Sequence, residues 1–330
     1  MVIAAPTTEE LERAALETGF TVAALERAAR MLMLAGELAA LSELSGRMML
    51  SGGGALHLCR PDPPRLPADL DFTFLGSAAG AELRADQAAV DDAVRSVLER
   101  SGAADGCCWR HEFAVRWLFA FRTAAGGNDT FPVDLIAATP EPLWPATQAV
   151  ARVPGLEGSV DVWVPDPHEA AGRKLATLFL RRRSRDLFDA HHILTRRTLD
   201  EARLRMAFVV GIAARPADSR QFAPEWVGVV EPELRGGLVP YLRGDLRAEA
   251  EGDSHWGGRL AGEVKHALGS IFPLRPNEVE FIARLRDRAE IHPELLTDDP
   301  DLGGRISRAP ELVHHADFAR SILSGGCMQL

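Results

Sequence analysis

The spacing of apolar and polar positions divides the chain into a mixed first part and a mostly helical second part. Residues 8–45 predict two helices, because alanine-rich sequence carries apolar residues at helical spacing from Thr8 and again from about Thr21 to Leu44. A charged amphipathic segment over 81–101 predicts another helix. Five short apolar or alternating segments predict strands, over residues 47–50, 70–75, 109–123, 131–136 and 160–164.

Beyond Pro165 the pattern changes, since residues 168–194 are strongly helical and the remainder is typical of helices separated by Pro or Gly. We therefore expect an α+β fold in two domains. The first, over residues 1–150, holds a small mixed β-sheet flanked by helices, with a helical lead-in at 8–45. The second, over residues 151–330, is a helical domain.

Composition and net charge argue against several classes of protein. The 330 residues include 37 basic and 47 acidic side chains, a net charge of −10 at pH 7. Proteins that coat nucleic acid usually carry the opposite sign, so any contact with RNA requires a local basic patch. The four cysteines form no pair with metal-ligand spacing, which argues against a disulfide framework or a zinc ribbon. With neither a signal peptide nor an apolar segment of ~20 residues, we expect a cytoplasmic protein without membrane contact.

Three aspartates interrupt the apolar strands. Asp69 and Asp71 are two residues apart, so their side chains leave the same face of a strand. Two such carboxylates repel each other unless solvent or a cation lies between them, and Mg²⁺ prefers oxygen ligands. Asp134 lies in a second apolar strand. If the two strands pair, three carboxylates converge, which is enough for a site with two metal ions.

A glycine turn follows the first predicted strand. Ser51, Gly52, Gly53 and Gly54 separate that strand from a short helix that begins at Ala55. Such a strand–turn–helix element lets backbone N–H groups approach a phosphate. The sequence fits neither a Walker loop nor a dinucleotide fingerprint. An ordinary tight turn is the alternative interpretation.

The third feature is basic, and it lies in the helical part. Residues 173–197 carry eight basic side chains, among them Lys174, one of only two lysines in the chain. Lys174, Arg181 and Arg185 share one stripe if the helix is continuous, whereas Ser184 is a candidate start of a new helix. This patch suits a triphosphate or an RNA backbone. The alternative is a solvated basic face.

Taken together, these residues resemble the DNA polymerase β nucleotidyltransferase superfamily. The resemblance rests on Gly-Gly-x-Ala-Leu at residues 52–56, on Arg65-x-x-x-Asp69-Leu-Asp71-Phe72, and on the lone strand residue Asp134. The later segment from Glu169 through Lys174 to Asp189 narrows it to nucleotidyltransferase toxins of the AbiEii/AbiGii and MenT type. The similarity covers residues from about 25 to 195.

The resemblance implies transfer of a nucleotide from an NTP to an RNA acceptor, with tRNA as the expected acceptor and two Mg²⁺ ions. It implies that Ser51, Gly52 and Gly53 contact phosphate and that Asp69 and Asp71 hold metal. Asp134 would be the third metal ligand and the general base. It further implies that Lys174 binds the triphosphate, that Asp189, Asp186 and Arg185 complete the helical motif, and that an antitoxin protein is a possible partner in a toxin–antitoxin or phage-defence system.

Two positions depart from the family pattern. Gly54 stands where Thr or Ser is frequent, and Pro67 where Ser is usual, so a hydroxyl contact to phosphate is missing unless Ser51 replaces it. Two other hypotheses stay open. One is a catalytically silent nucleotide- or RNA-binding regulator on the same fold, and the other is a housekeeping nucleotidyltransferase. The sequence identifies neither the nucleotide nor the oligomeric state.

Overall fold

The computed structural model describes residues 3–323 apart from 42, 43, 45, 76–79, 101–106, 112, 113, 138–140, 214 and 216. The chain forms two compact units. The first comprises Met1–Thr139, Ala146–Pro165 and Leu238–Asp253, and the second comprises Pro140–Pro145, Asp166–Gly237 and Ser254–Leu330. The α+β fold expected from the sequence is confirmed. The limits of functional domains at residue 150 stay a prediction.

The first unit is built on one mixed sheet. Within the described residues its strands are β1 (Met48–Ser51), β2 (Leu70–Phe74), β3 (Cys107–His111), β4 (Ala114–Arg122), β5 (Asn128–Ala137), β6 (Thr147–Ala151) and β7 (Val160–Val164). Their order across the sheet is β3-β4-β5-β2-β1-β7-β6. β2 pairs with β5 and β1 with β7 in parallel, and the remaining pairs are antiparallel.

Helices complete this unit. They are α1 (Thr8–Thr18), α2 (Val22–Ala39), α3 (Gly52–His57), α4 (Gly80–Arg100) and α9 (Gly244–Gly252). α1 begins with a capping box, in which the Thr7 hydroxyl accepts from the Glu10 N–H while the Glu10 carboxylate accepts from the Thr7 N–H. α2 is mostly buried and packs against α1, α4 and β7. Its apolar residues, at helical spacing, therefore form one side of the core.

Alternation along β4 gives the sheet two unlike faces. Val115, Trp117, Phe119 and Phe121 are buried, and the side chains between them point to the other face. The ring of Phe119 stacks on that of Phe131 in β5, with centroids 4.9 Å apart. The core therefore lies on one side of β4 and β5, and the other side is open.

The second unit is helical. Its helices are α5 (Pro167–Arg181), α6 (Ser184–Arg196), α7 (Glu201–Ala213), α8 (a single turn, Glu231–Glu233), α10 (Trp256–Ala267), α11 (Pro276–Arg288), α12 (Pro300–Ser307) and α13 (Pro310–Leu323). Gly172 lets α5 approach α7 closely, because a Cβ there would lie 2.5 Å from the Cβ of Ala207. Phe179, Phe208, Phe222 and Phe272 form an aromatic core.

Four details differ from the sequence prediction. α3 begins at Gly52 rather than at Ala55, so the glycines form its first turn. The second helix ends at Ala39 rather than near Leu44, and residues 109–111 and 114–122 belong to two different strands, β3 and β4. β6 was not predicted, because it is an edge strand with most of its side chains exposed and so lacks an alternating pattern. No helix among the described residues is long and apolar enough to cross a membrane.

Candidate active site

Strand register brings the predicted carboxylates together in the first unit. Ser51 pairs with Asp71, Asp71 pairs with Asp134, and Asp134 pairs with Arg116. Residues paired in register point to the same face of a sheet, so these four side chains form one row across β1, β2, β5 and β4. We call Ser51, Asp71, Asp134 and Arg116 the polar row. Asp69 lies one residue before β2 begins, and its charge acts on Arg116.

The glycine turn lies directly against these carboxylates. Gly52 has a positive φ of 54°, which glycine adopts without strain. A Cβ at Gly52 would overlap the carboxylate of Asp71. A Cβ at Gly53 would lie 3.8 Å from Oδ1 of Asp69, an ordinary contact. Only glycine therefore fits position 52, and the start of α3 borders both aspartates.

Arg116 is the residue that sequence reasoning missed. Its Nε and Nη2 donate to Oδ1 and Oδ2 of Asp134, each at 2.6 Å. These bonds raise the pKa of the Arg116 guanidinium, burial opposes the rise, and the charges of Asp134, Asp69 and Asp71 add to it. The guanidinium therefore lies in the field of all three carboxylates. Its outward direction follows from strand alternation, but its partner depends on the β4–β5 register, which no local sequence pattern encodes.

The donor chemistry of this site fits a divalent cation. Carboxylate oxygens are the ligands that Mg²⁺ prefers, and two of the three predicted ligands are neighbours in register. The part of the chain that the structure describes contains no preformed cluster of three metal-ligating side chains. Both oxygens of Asp134 accept hydrogen bonds from Arg116. A metal ion bound by both Asp134 and Asp71 would therefore either share the Asp134 carboxylate with Arg116 or displace the Arg116 guanidinium from it.

A second charged cluster lies in the helical unit. The Nζ of Lys174 is 2.7 Å from Oδ1 of Asp186 and 2.8 Å from Oδ2 of Asp189. All three side chains are nearly buried, with exposed fractions of 12%, 5% and 1%. A buried charge is costly unless it is paired, so the ammonium and the two carboxylates stabilise one another. We call Lys174, Asp186 and Asp189 the lysine cluster.

Comparison with known proteins identifies the family. The model of the AbiEii nucleotidyl transferase toxins, described as belonging to type IV toxin–antitoxin systems, matches residues 34–284. The chain belongs to this family. MenT4, a nucleotidyltransferase toxin from Mycobacterium tuberculosis H37Rv, is 19% identical, with 92% of this chain and 98% of that chain covered at a TM-score of 0.56. That likeness shows a shared fold. No curated protein matches the chain.

In this AbiEii nucleotidyltransferase, glycine at position 54 allows α3 to pack closely on the preceding strand. A Cβ there would lie 2.8 Å from Cδ1 of Leu50, at the end of a flexible side chain. A Ser or Thr would therefore fit if the Leu50 side chain shifted.

The basic side chains of residues 173–197 lie in different environments in this AbiEii protein. Arg173 pairs with Glu169 and Glu311, and the burial of Glu169 raises the pKa of its carboxyl group. Arg182 and Arg183 are exposed between α5 and α6. The helix is broken there, since Arg182 has a φ of 50°, so the single stripe expected for a continuous helix is wrong. α6 starts at Ser184, and Arg185 lies half-buried on it.

Proposed function

We propose that this AbiEii-family nucleotidyltransferase transfers a nucleoside monophosphate from an NTP to an RNA acceptor, tRNA first among the candidates, with the help of Mg²⁺. The register of Asp71 with Asp134, beside Asp69 and Gly52, is the observation that carries the proposal. Carboxylates at such a turn suit a metal-bound triphosphate. In the cell the activity would act as a toxin in the cytoplasm, held in check by an antitoxin protein, in a toxin–antitoxin or phage-defence system.

The residues of the first unit would divide the work as follows. Ser51, Gly52 and Gly53 would contact the phosphates, because a glycine backbone allows close approach. Asp69 and Asp71 would hold the metal, which when bound neutralises charge on the triphosphate. Asp134 would ligate metal and accept the proton of the attacking hydroxyl. That role requires Arg116 to give up at least one of its bonds to Asp134.

The lysine cluster would serve the leaving group. A lysine ammonium binds phosphate as a point charge. Asp186 and Asp189 fix the Nζ of Lys174 through two short ion pairs, so they would orient it. Arg185, next to this cluster in sequence, would add a second cation for the triphosphate.

The RNA would contact the exposed part of the basic segment over 173–197. Arg173 and Lys174 are held in ion pairs within the second unit, whereas Arg182 and Arg183 are exposed, as is Arg181, whose Nε lies 3.9 Å from Oδ2 of Asp186. Contacts of this kind with phosphates are electrostatic and fall with rising salt. RNA labelling is therefore expected to weaken as the salt concentration increases.

The test is a transfer assay. Each α-labelled NTP is incubated with the protein, Mg²⁺ and total bacterial tRNA, and the RNA is separated on a gel. We expect label in tRNA with the native chain and with Asp161→Asn, a control aspartate exposed on β7 of the same sheet. Asp71→Asn is expected to abolish the labelling of tRNA. Label in protein instead of RNA would overturn the acceptor, and equal labelling by Asp71→Asn would overturn the site.

A catalytically silent regulator is the second candidate. Two sets of contacts favour it, since Arg116 occupies both oxygens of Asp134 and the Nζ of Lys174 is paired with Asp186 and Asp189. This candidate predicts NTP binding without turnover for any nucleotide or acceptor. Binding measured by calorimetry beside the transfer assay separates the two.

A further inference from the structure

The exposed side of β4 carries an alternation of charge and apolar surface. Arg116, Leu118, Ala120 and Arg122 point away from the core. Leu118 is 41% exposed, although the outward positions of an antiparallel strand with one solvated face are typically polar. Arg122 is exposed at the end of the strand.

The neighbouring strand extends this surface. On β5, Thr130, Pro132 and Ile136 share the face of Asp134, and Leu118 pairs directly with Pro132. Ile136 is 46% exposed. Apolar side chains therefore lie on both sides of the Arg116–Asp134 ion pair along the strands. We call the outward side chains of β4 and β5 the open face; they are Arg116, Leu118, Ala120, Arg122, Thr130, Pro132, Asp134 and Ile136.

This chemistry fits a single-stranded nucleic acid. Bases pack on apolar side chains as well as on aromatic rings, while cations beside them bind the phosphates. Arg116 and Arg122 are six residues apart on one strand, which at ~3.4 Å per residue corresponds to about 20 Å. That length suits about three nucleotides of an extended strand.

The order of the strands indicates which part of the substrate would lie on the open face. Ser51 and Gly52 lie at the β1 end of the polar row, where the proposed triphosphate contacts are, and Arg116 lies at the β4 end. Asp134, the proposed base for the attacking hydroxyl, stands between β2 and β4. A hydroxyl that approaches Asp134 from the side away from the triphosphate comes across the open face.

We propose that the open face binds the terminal nucleotides of the acceptor RNA strand, an inference that rests on the proposed function. The terminal base packs on Leu118 and Pro132 next to Asp134. The preceding nucleotides follow β4, and Arg122 binds one of their phosphates. The open face thereby selects a single-stranded RNA end as the acceptor.

The test measures RNA binding at equilibrium, without NTP and with the metal chelated, so that it does not depend on turnover. Fluorescence anisotropy follows a short single-stranded RNA labelled at its 5′ end. We expect Leu118→Ser to weaken binding by about three- to tenfold, because apolar contact area with the terminal base is lost. Arg122→Gln is expected to weaken it several-fold and to lower the slope of log affinity against log salt by about one. Val150→Ser, a control at a 40% exposed position on β6, is expected to leave the affinity unchanged.

A second oligonucleotide makes the test specific. When the 3′-terminal nucleotide is abasic, the native chain is expected to bind several-fold more weakly, while Leu118→Ser shows no further loss. Equal affinity of Leu118→Ser and the native chain, or equal losses with both oligonucleotides, would overturn the inference and leave the proposed function intact. If the native chain consumes NTP but binds no RNA, the acceptor class is wrong and the inference falls with it. Melting temperatures of all variants report whether they fold.

Discussion

At the scale of single residues, the site depends on one glycine that is required for two separate reasons. The positive φ of Gly52 would cost another residue about 1–2 kcal/mol. A Cβ would also overlap the carboxylate of Asp71. Gly53 has neither constraint, since the nearest atom to a Cβ there is 3.5 Å away on Arg65. The two adjacent glycines therefore form a matched pair for mutation.

We expect Gly52→Ala to lower the transfer rate by about 100-fold, because it displaces Asp71 by roughly an ångström from its position. It should also lower the free energy of unfolding by about 1–2 kcal/mol. Gly53→Ala should keep the unfolding free energy within about 1 kcal/mol of the native value. Denaturant unfolding and the transfer assay measure both quantities. Full activity of Gly52→Ala would show that Asp71 need not lie against the turn.

Much of the site was predictable at this scale, because aspartates within apolar strands are conspicuous. Asp69, Asp71 and the glycine turn follow from the sequence, and their closeness is confirmed by the register and by the space around Gly52. Arg116 was not predictable, since an exposed arginine on a strand is ordinary until its partner across the sheet is known. Catalytic roles stay predictions for all of these residues.

At the scale of elements, the break between α5 and α6 determines which arginines of residues 173–197 are exposed. Arg182 is a non-glycine residue at positive φ, followed by an α6 that has no side-chain cap. Ala289, which ends α11, has a φ of 59° and is the matched case without charge. Comparing glycine substitutions at Arg182 and Ala289 separates the free-energy cost of the positive φ from the effect of the arginine charge.

Arg182→Gly is expected to raise the free energy of unfolding by about 0.5–1 kcal/mol, because glycine adopts a positive φ without strain. It should also weaken RNA binding and reduce the salt slope by about one, because one phosphate contact is lost. Ala289→Gly should gain less stability, since its methyl group is buried, and should leave RNA binding unchanged. Denaturant unfolding and anisotropy titrations in several salt concentrations provide the comparison. If Arg182→Gly binds RNA as well as the native chain, the break between α5 and α6 is only a solvated turn.

The elements themselves were predicted where their pattern is regular. The capped helix α1, the buried helix α2 and the strand β7 follow from periodicity and turn residues. The α5–α6 break was weakly signalled, because consecutive arginines are good helix formers and no Gly or Pro marks the end. β6 is held by its hydrogen bonds to β7, a long-range interaction that local propensity does not contain.

At the scale of the whole molecule, distant parts of the chain complete the first unit. Residues 238–253 return to it, where the backbone N–H of Leu66 donates to the carbonyl of Tyr241 and Arg65 pairs with Leu242. Arg27 joins Asp129 and the Tyr241 hydroxyl. No motif in the sequence predicts this return, because it depends on contacts between residues 175 to 214 positions apart. The α+β class and the family were predictable, since each rests on local elements and short motifs.

The most direct test of the central claim, that the carboxylates beside the glycine turn hold a metal with the nucleotide, is Mn²⁺ binding. Electron paramagnetic resonance measures free Mn²⁺ in the presence of a non-hydrolysable NTP, which keeps catalysis out of the readout. We predict that Asp71→Asn weakens Mn²⁺ binding by at least about tenfold, the loss of a charged ligand being worth more than 1.4 kcal/mol. Asp161→Asn, on β7, should bind as the native chain does. Equal Mn²⁺ affinity in Asp71→Asn and the native chain would contradict the account.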